Sequence, residues 1–142
     1  MPEIRSPMEA PKPIQVLIAE DDKFLRNVLQ AKLVAEGFGV RIAADGEEAI
    51  TAIAEATPDI LLLDIIMPKK NGFDVLEDLR LKGRQDIPVV ILSNLGQDED
   101  VRRGLALGAV DFLVKSDHSL KDVVEKVKLY AATSRKPATK LS

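Results

Sequence analysis

Two uninterrupted apolar quartets, ILLL at residues 60–63 and VVIL at 89–92, constrain the fold more than any other feature of this chain. A half-buried strand alternates in polarity, so a strand with no polar position must be covered on both faces, as in a parallel sheet clothed by helices. The quartets sit within DILLLD (59–64) and PVVIL (88–92). Three more short apolar runs accompany them: IQVLIA (14–19), GVRIAA (39–44) and AVDFLV (109–114).

The segments between the runs have helical spacing. Over 23–36, Phe24, Leu25, Val28, Leu29 and Leu33 recur at i, i+3 and i+4 intervals, and Gly37 is placed to stop that helix. Segment 46–56 is rich in alanine and glutamate and ends before Pro58, while 72–81 places Phe73, Leu76 and Leu79 or Arg80 at helical intervals. Segment 98–107 opens on Asp98, Glu99 and Asp100, acids that suit a helix N-terminus. It also contains Gly104, which costs a helix about 1 kcal/mol relative to alanine and marks a candidate mobile element. The last segment, 119–131, repeats Leu120, Val123, Val124, Val127 and Tyr130.

Strand and helix thus alternate five times, with connections too short for anything but right-handed crossovers. The expected architecture is α/β, a flavodoxin-like, doubly wound parallel sheet of five strands in order 2-1-3-4-5 with five helices. A chain of 142 residues fits one such domain, expected over 14–131. Residues 1–13 hold four of the eight prolines and read as a flexible leader; 132–142, with Pro137, read as a polar tail. The formal net charge of −3 and the lack of a basic stripe argue against nucleic acid as a direct partner. Without cysteine there is no disulfide and no thiolate metal site. No apolar stretch approaches the roughly 18 residues that span a bilayer, so a cytoplasmic protein with no membrane association is expected.

In open α/β sheets, ligands bind beyond the carboxyl ends of the strands, where strand order reverses. For order 2-1-3-4-5 that point lies between the first and third strands. Glu20 and Asp21 follow the first strand and Asp64 ends the third, with Ser93 after the fourth and Lys115 after the fifth. Crowded hard oxygens of this kind suit Mg²⁺, which takes one or two carboxylates and keeps several waters. Asp21 is a direct ligand candidate and Glu20 one acting through water, with a backbone carbonyl near Ile66 completing the set. Asp22 opens the first helix and is assigned to its N-cap. Taken singly, each residue has a plainer role as turn, cap or surface lysine. Their joint placement at one sheet edge is what carries the site.

These residues resemble the receiver domain of bacterial two-component response regulators, of the single-domain type. The likeness rests on EDD at 20–22, LLLDIIMPKKNG at 61–72, VVILS at 89–93 and LALGAVDFLVK at 105–115, in order and at the right spacing. It implies that Asp64 accepts a phosphoryl group from a histidine kinase or a histidine phosphotransfer protein. It further implies Lys115 as a counter-charge, Ser93 as the switch hydroxyl and Phe112 as the switch aromatic. Output would run through the fourth helix, fifth strand and fifth helix (roughly 98–131) to a downstream protein target, and the same face offers a route to a homodimer. Val101, Leu105, Leu107, Val123 and Val127 lie there and serve either core or partner.

Some residues depart from the family pattern. Ser116 stands where the family has a proline after a cis bond, so either a trans loop or visible strain is expected. Asn94 replaces a small residue beside Ser93. Ile66 and Leu95, each two residues past a site residue, are apolar and cannot position an attacking water, so slow self-dephosphorylation is expected. Ile66 also weighs against the alternative of a Mg²⁺-dependent aspartyl phosphatase, which needs an acid there. With only about 11 residues after the last helix, no DNA-binding module is expected, while a receiver from a larger hybrid kinase or regulator remains an alternative. A nucleotide-binding module would need a glycine-rich loop after the first strand, and none stands there. His118, the only histidine, lies in the polar loop SDHS and is assigned no role.

Overall fold

The computed structural model describes residues 12–134; the expected tail from 135 and the leader up to 11 lie outside them. The element order is β1 (Gln15–Ala19), α1 (Lys23–Ala35), β2 (Gly39–Ala43), α2 (Gly46–Glu55), β3 (Ile60–Leu63), α3 (Gly72–Leu81), β4 (Val89–Ser93), α4 (Asp98–Ala106), β5 (Asp111–Val114), a 3-10 turn (Lys115–Asp117) and α5 (Leu120–Ser134). All strand pairs are parallel and the sheet order is β2-β1-β3-β4-β5, as the alternation of runs predicts.

The two apolar quartets are buried at every position because successive side chains leave opposite faces of a strand. Leu61, Leu63, Val89 and Ile91 face a layer built from α2 and α3, with Ala49, Ile53, Phe73, Leu76 and Leu79. Ile60, Leu62, Val90 and Leu92 face the other layer, where Leu29 and Leu33 of α1 meet Val123, Val124, Val127 and Ala131 of α5. Burying such a side chain contributes about 1.5–3 kcal/mol. A one-residue register slip would therefore exchange two complete cores. Val123 and Val127 are spent in this layer, whereas Leu105 is exposed.

Helix ends follow local chemistry. Asp22 caps α1 by accepting the Leu25 N–H at 3.2 Å. Gly37, at φ 97°, ends that helix in a conformation unfavourable for a side-chain-bearing residue. Asn71 and Asp74 form a reciprocal capping box on α3. α4 differs: its N-cap Gln97 makes no side-chain cap bond, and Gly104 is its only buried residue.

Some boundaries shift. β5 starts at Asp111 rather than 109, because the Ala109 N–H closes the end of α4 on Gly104 O at 3.1 Å before the chain enters the sheet. α5 runs to Ser134, three residues past its expected end. The described residues contain no cis peptide, so Lys115–Ser116 is trans, in a short 3-10 turn. No helix among the described residues is long and apolar enough to cross a membrane.

Candidate functional site

The site lies at the carboxyl edge of β1, β3, β4 and β5. The Asp64 N–H donates to Ala19 O at 2.9 Å and the Glu20 N–H to Ala43 O at 3.0 Å, so the sheet ladder itself sets the two acids side by side. Glu20 is 2% exposed and Asp64 4% exposed. Asp21 is exposed, yet one carboxylate oxygen each of Glu20, Asp21 and Asp64 lie within 4.8 Å of one another.

Lys115 reaches into this cluster from the end of β5. Its ammonium is 3.0 Å from Glu20 Oε1 and 3.2 Å from Asp64 Oδ2. The other oxygens are held by backbone. The Asp22 N–H donates to Glu20 Oε2 at 3.0 Å, and the Ile65 and Ile66 N–H groups donate to Asp64 Oδ1 at 2.7 and 3.4 Å. Asp64 therefore presents one oxygen tied to its own loop and one paired with the Lys115 ammonium.

Charge here is under-compensated. Burial pushes the Glu20 carboxyl up to about 7; the nearby Asp64 charge adds to the rise, and the Asp22 N–H and Lys115 only partly oppose it. For Lys115, burial acts downward, but its hydrogen bond to Glu20 and the charges of Asp64 and Glu20 outweigh it and hold the ammonium above its ordinary range. Of the three carboxylates, Glu20 and Asp64 share the Lys115 ammonium, and all three offer hard oxygens, so the acidic pocket fits a metal ion.

Ser93 is fully buried at the end of β4, and its Oγ accepts the Leu95 N–H at 3.3 Å. In the β4–β5 register it stands opposite Val114, next to Lys115. Ile66 is exposed, two residues beyond Asp64. Phe112 does not join the cluster. It is half-buried opposite Ile91, where a Cβ on Gly104 would come within 3.1 Å of its ring. Gly104 thus has a packing reason: a Cβ there would press on the Ile91 and Phe112 side chains. His118 faces Asp122 at 4.0 Å, away from these residues in its own loop and helix.

Three contributors went unnoticed in the sequence. Gly72 docks against the Asp64 carbonyl too closely for any Cβ, and its N–H donates to Ile65 O at 2.8 Å. The NG pair before an apolar stripe could have signalled that contact. Lys69, at φ 69°, extends to the buried Asp45 at 3.7 Å and ties the loop after β3 to the start of α2. Arg26 donates to backbone carbonyls of the acidic loop and leaves no periodic trace.

Comparison with known proteins follows the same lines. Residues 16–128 match the model of the response regulator receiver domain. The transcriptional regulatory protein CpxR of Klebsiella pneumoniae is 44% identical over 101 residues, covering 71% of this chain and 42% of that protein. The chain spans less than half the length of the curated relatives it matches. Among solved structures, the receiver domain of the Francisella response regulator 1452 superposes with a TM-score of 0.80 at 30% identity, covering 85% of this chain and 98% of that one. The BeF3-activated N-terminal receiver domain of Klebsiella pneumoniae RstA gives 0.77 at 29% identity, covering 86% and 99%.

Proposed function

The chain belongs to the response regulator receiver domain family, and from that premise we propose that it is a phosphorylation-dependent signalling switch with Asp64 as phosphoacceptor. The donor is the phosphohistidine of a histidine kinase or a histidine phosphotransfer protein. The single observation that carries this reading is the pairing of Asp64 Oδ2 with Lys115 at 3.2 Å while Oδ1 is held by backbone N–H groups. A carboxylate so oriented forms an O–P bond as the P–N bond of phosphoimidazole breaks, and the departing imidazole nitrogen takes a proton. Lys115 balances charge gathering on the phosphoryl oxygens. Glu20, Asp21, Asp64 and the Ile66 carbonyl are the groups that would hold Mg²⁺, which when bound supplies further positive charge to the phosphoryl group.

The aspartyl phosphate then recruits the Ser93 hydroxyl, which donates its O–H to a phosphoryl oxygen. Phe112 follows inward, and α4 responds because it is the least anchored helix, with one buried residue and no side-chain cap. The shift biases the α4–β5–α5 face toward a protein target or a second copy. The protein acts as an enzyme only on itself, in its own phosphorylation and dephosphorylation, in the cytoplasm. A second reading, favoured by relatives named as transcriptional regulators and matched over less than half their length, makes this the input portion of a longer regulator.

The test is a beryllofluoride titration with Mg²⁺ followed by backbone NMR. Shifts at Asp64, Ser93, Phe112 and Lys115 that vanish in Asp64→Asn are expected. Turnover of p-nitrophenyl phosphate, with no such shifts, would overturn the switch in favour of a phosphatase.

A further inference from the structure

The acidic loop after β1 is short, with Glu20 buried and Asp21 exposed, yet it must aim two carboxylates at one point. Glu20 is held at its side chain by Lys115 and the Asp22 N–H. Asp21 is exposed, and no side-chain partner explains its direction toward Asp64. The two acids follow one another in the chain, so whatever holds the carbonyls of residues 20 and 21 constrains where both carboxylates start.

Arg26 makes that contact. Its Nη1 donates to Glu20 O at 2.8 Å and to Asp21 O at 3.4 Å. The reach follows from helix geometry: Arg26 is the fourth residue of α1, its own N–H closes the first turn on Asp22 O at 2.9 Å, and helical side chains lean toward the N-terminus. The side chain therefore folds back over the loop that precedes the helix. A guanidinium suits the task because Nη1 carries two N–H groups on a rigid planar head, and that one nitrogen faces both carbonyls. Arg26 Nε is buried and meets no hydrogen-bond partner among the described residues. Nor does the helix ask for a cation here: α1 has no acid in its first turn, and the positive end of a helix does not favour one.

We infer that Arg26 is a positioning residue for the divalent-cation site, clamping the carbonyls of Glu20 and Asp21 so that both carboxylates converge on Asp64. The inference rests on the metal reading proposed above. It makes an unusual demand on sign. As a neighbouring charge alone, Arg26 repels a cation, and its removal would tighten Mg²⁺ binding. As a clamp, its removal loosens the loop and weakens binding, by the 10- to 100-fold typical of groups that orient metal ligands.

Mg²⁺ titrations of the wild type, Arg26→Gln and Arg26→Lys, read by amide shifts of residues 20–22 and 64, separate these cases. Thermal unfolding without metal monitors folding. Arg26→Gln is expected to bind Mg²⁺ at least tenfold more weakly. Arg26→Lys, which keeps the charge but carries its nitrogen on a flexible stem without the planar group that holds Nη1 in place, is expected to fall between it and the wild type. Affinity that is unchanged or tighter in Arg26→Gln overturns the clamp. If that variant does not fold, an Arg26→Lys affinity within twofold of wild type overturns it equally. A wild type blind to Mg²⁺ would instead defeat the metal reading itself, before Arg26 is at issue.

Discussion

Lys115 Nζ lies 3.2 Å from Asp64 Oδ2 although 51 residues separate the two in the chain. The contact exists because β5 and β3 end on the same sheet edge, and it neutralises one of two buried acids that otherwise face each other. Replacing Lys115 with Met leaves Glu20 and Asp64 without the one side-chain cation that pairs with them among the described residues. In metal-free buffer at pH 8 the variant should lose about 2 kcal/mol, below the usual cost of breaking a fully buried pair because the lysine is partly exposed. Urea denaturation measures this, and an unchanged midpoint would show that the pair carries no net stability. Phosphorylation by acetyl phosphate should fall at least tenfold, a barrier increase of about 1.4 kcal/mol.

Glu20 makes metal-free stability depend on pH. Its carboxyl is pushed from 4.5 to about 7 on folding, first by burial. Between those values the folded state keeps a proton that the unfolded chain has released. Stability therefore falls as pH rises through this window and levels off above it, by up to about 3 kcal/mol at 1.36 kcal/mol per pH unit. Asp86 and Glu36 are held low by Arg84 and Lys128 and act in the opposite sense at lower pH. The difference between wild type and Glu20→Gln isolates the Glu20 contribution. Urea melts in EDTA from pH 5 to 8 should show the decline only in wild type, and saturating Mg²⁺ should flatten it.

Gly104 offers a test in which two effects oppose. Alanine would gain about 1 kcal/mol of helix propensity. Its Cβ, however, would meet Ile91 Cδ1 at 2.6 Å and the Phe112 ring at 3.1 Å, and overpacking of this kind costs about 1–3 kcal/mol. The overlap is too close to relax freely inside a sheet core, so a net loss of ~1 kcal/mol is expected. Ile91→Val removes the clashing methyl, and the double variant should recover most of the loss, a positive coupling that chemical denaturation can resolve. A Gly104→Ala protein more stable than wild type would refute the packing account.

These residues also mark what the sequence makes legible. The quartets at 60–63 and 89–92 announce a doubly covered parallel sheet, and that topology alone brings Glu20, Asp21, Asp64 and Lys115 to one edge. Asp22 was legible as a cap because capping is local chemistry. Gly104 suggested mobility, since a helical glycine looks the same on paper whether it frees a helix or admits a neighbour; only the approach of Ile91 separates the two. Arg26 and Lys69 were illegible for a related reason. Their contacts are to backbone carbonyls and to a cap across the fold, and neither leaves a periodicity.

The phosphorylated state should be long-lived, because the positions that face an incoming water are apolar. Hydrolysis requires a water in line with the Asp64–phosphorus bond, and orientation of that water is where side chains near the site contribute. Ile66 is 57% exposed beside Asp64, so it is free to shield the phosphoryl group but has no donor or acceptor to hold a water. Leu95 is equally unable, and its N–H is engaged by Ser93 Oγ. Ile66→Asn keeps a side chain of similar reach and adds both donor and acceptor, and being exposed it should cost little stability. Loss of the aspartyl phosphate should quicken about tenfold in this variant, equivalent to ~1.4 kcal/mol off the barrier, and less in Leu95→Gln, whose side chain starts half-buried. Phosphate release from purified, donor-free protein with Mg²⁺ gives the rates. A wild-type half-life of seconds, or an Ile66→Asn rate equal to it, would show that water is oriented by something other than these two positions.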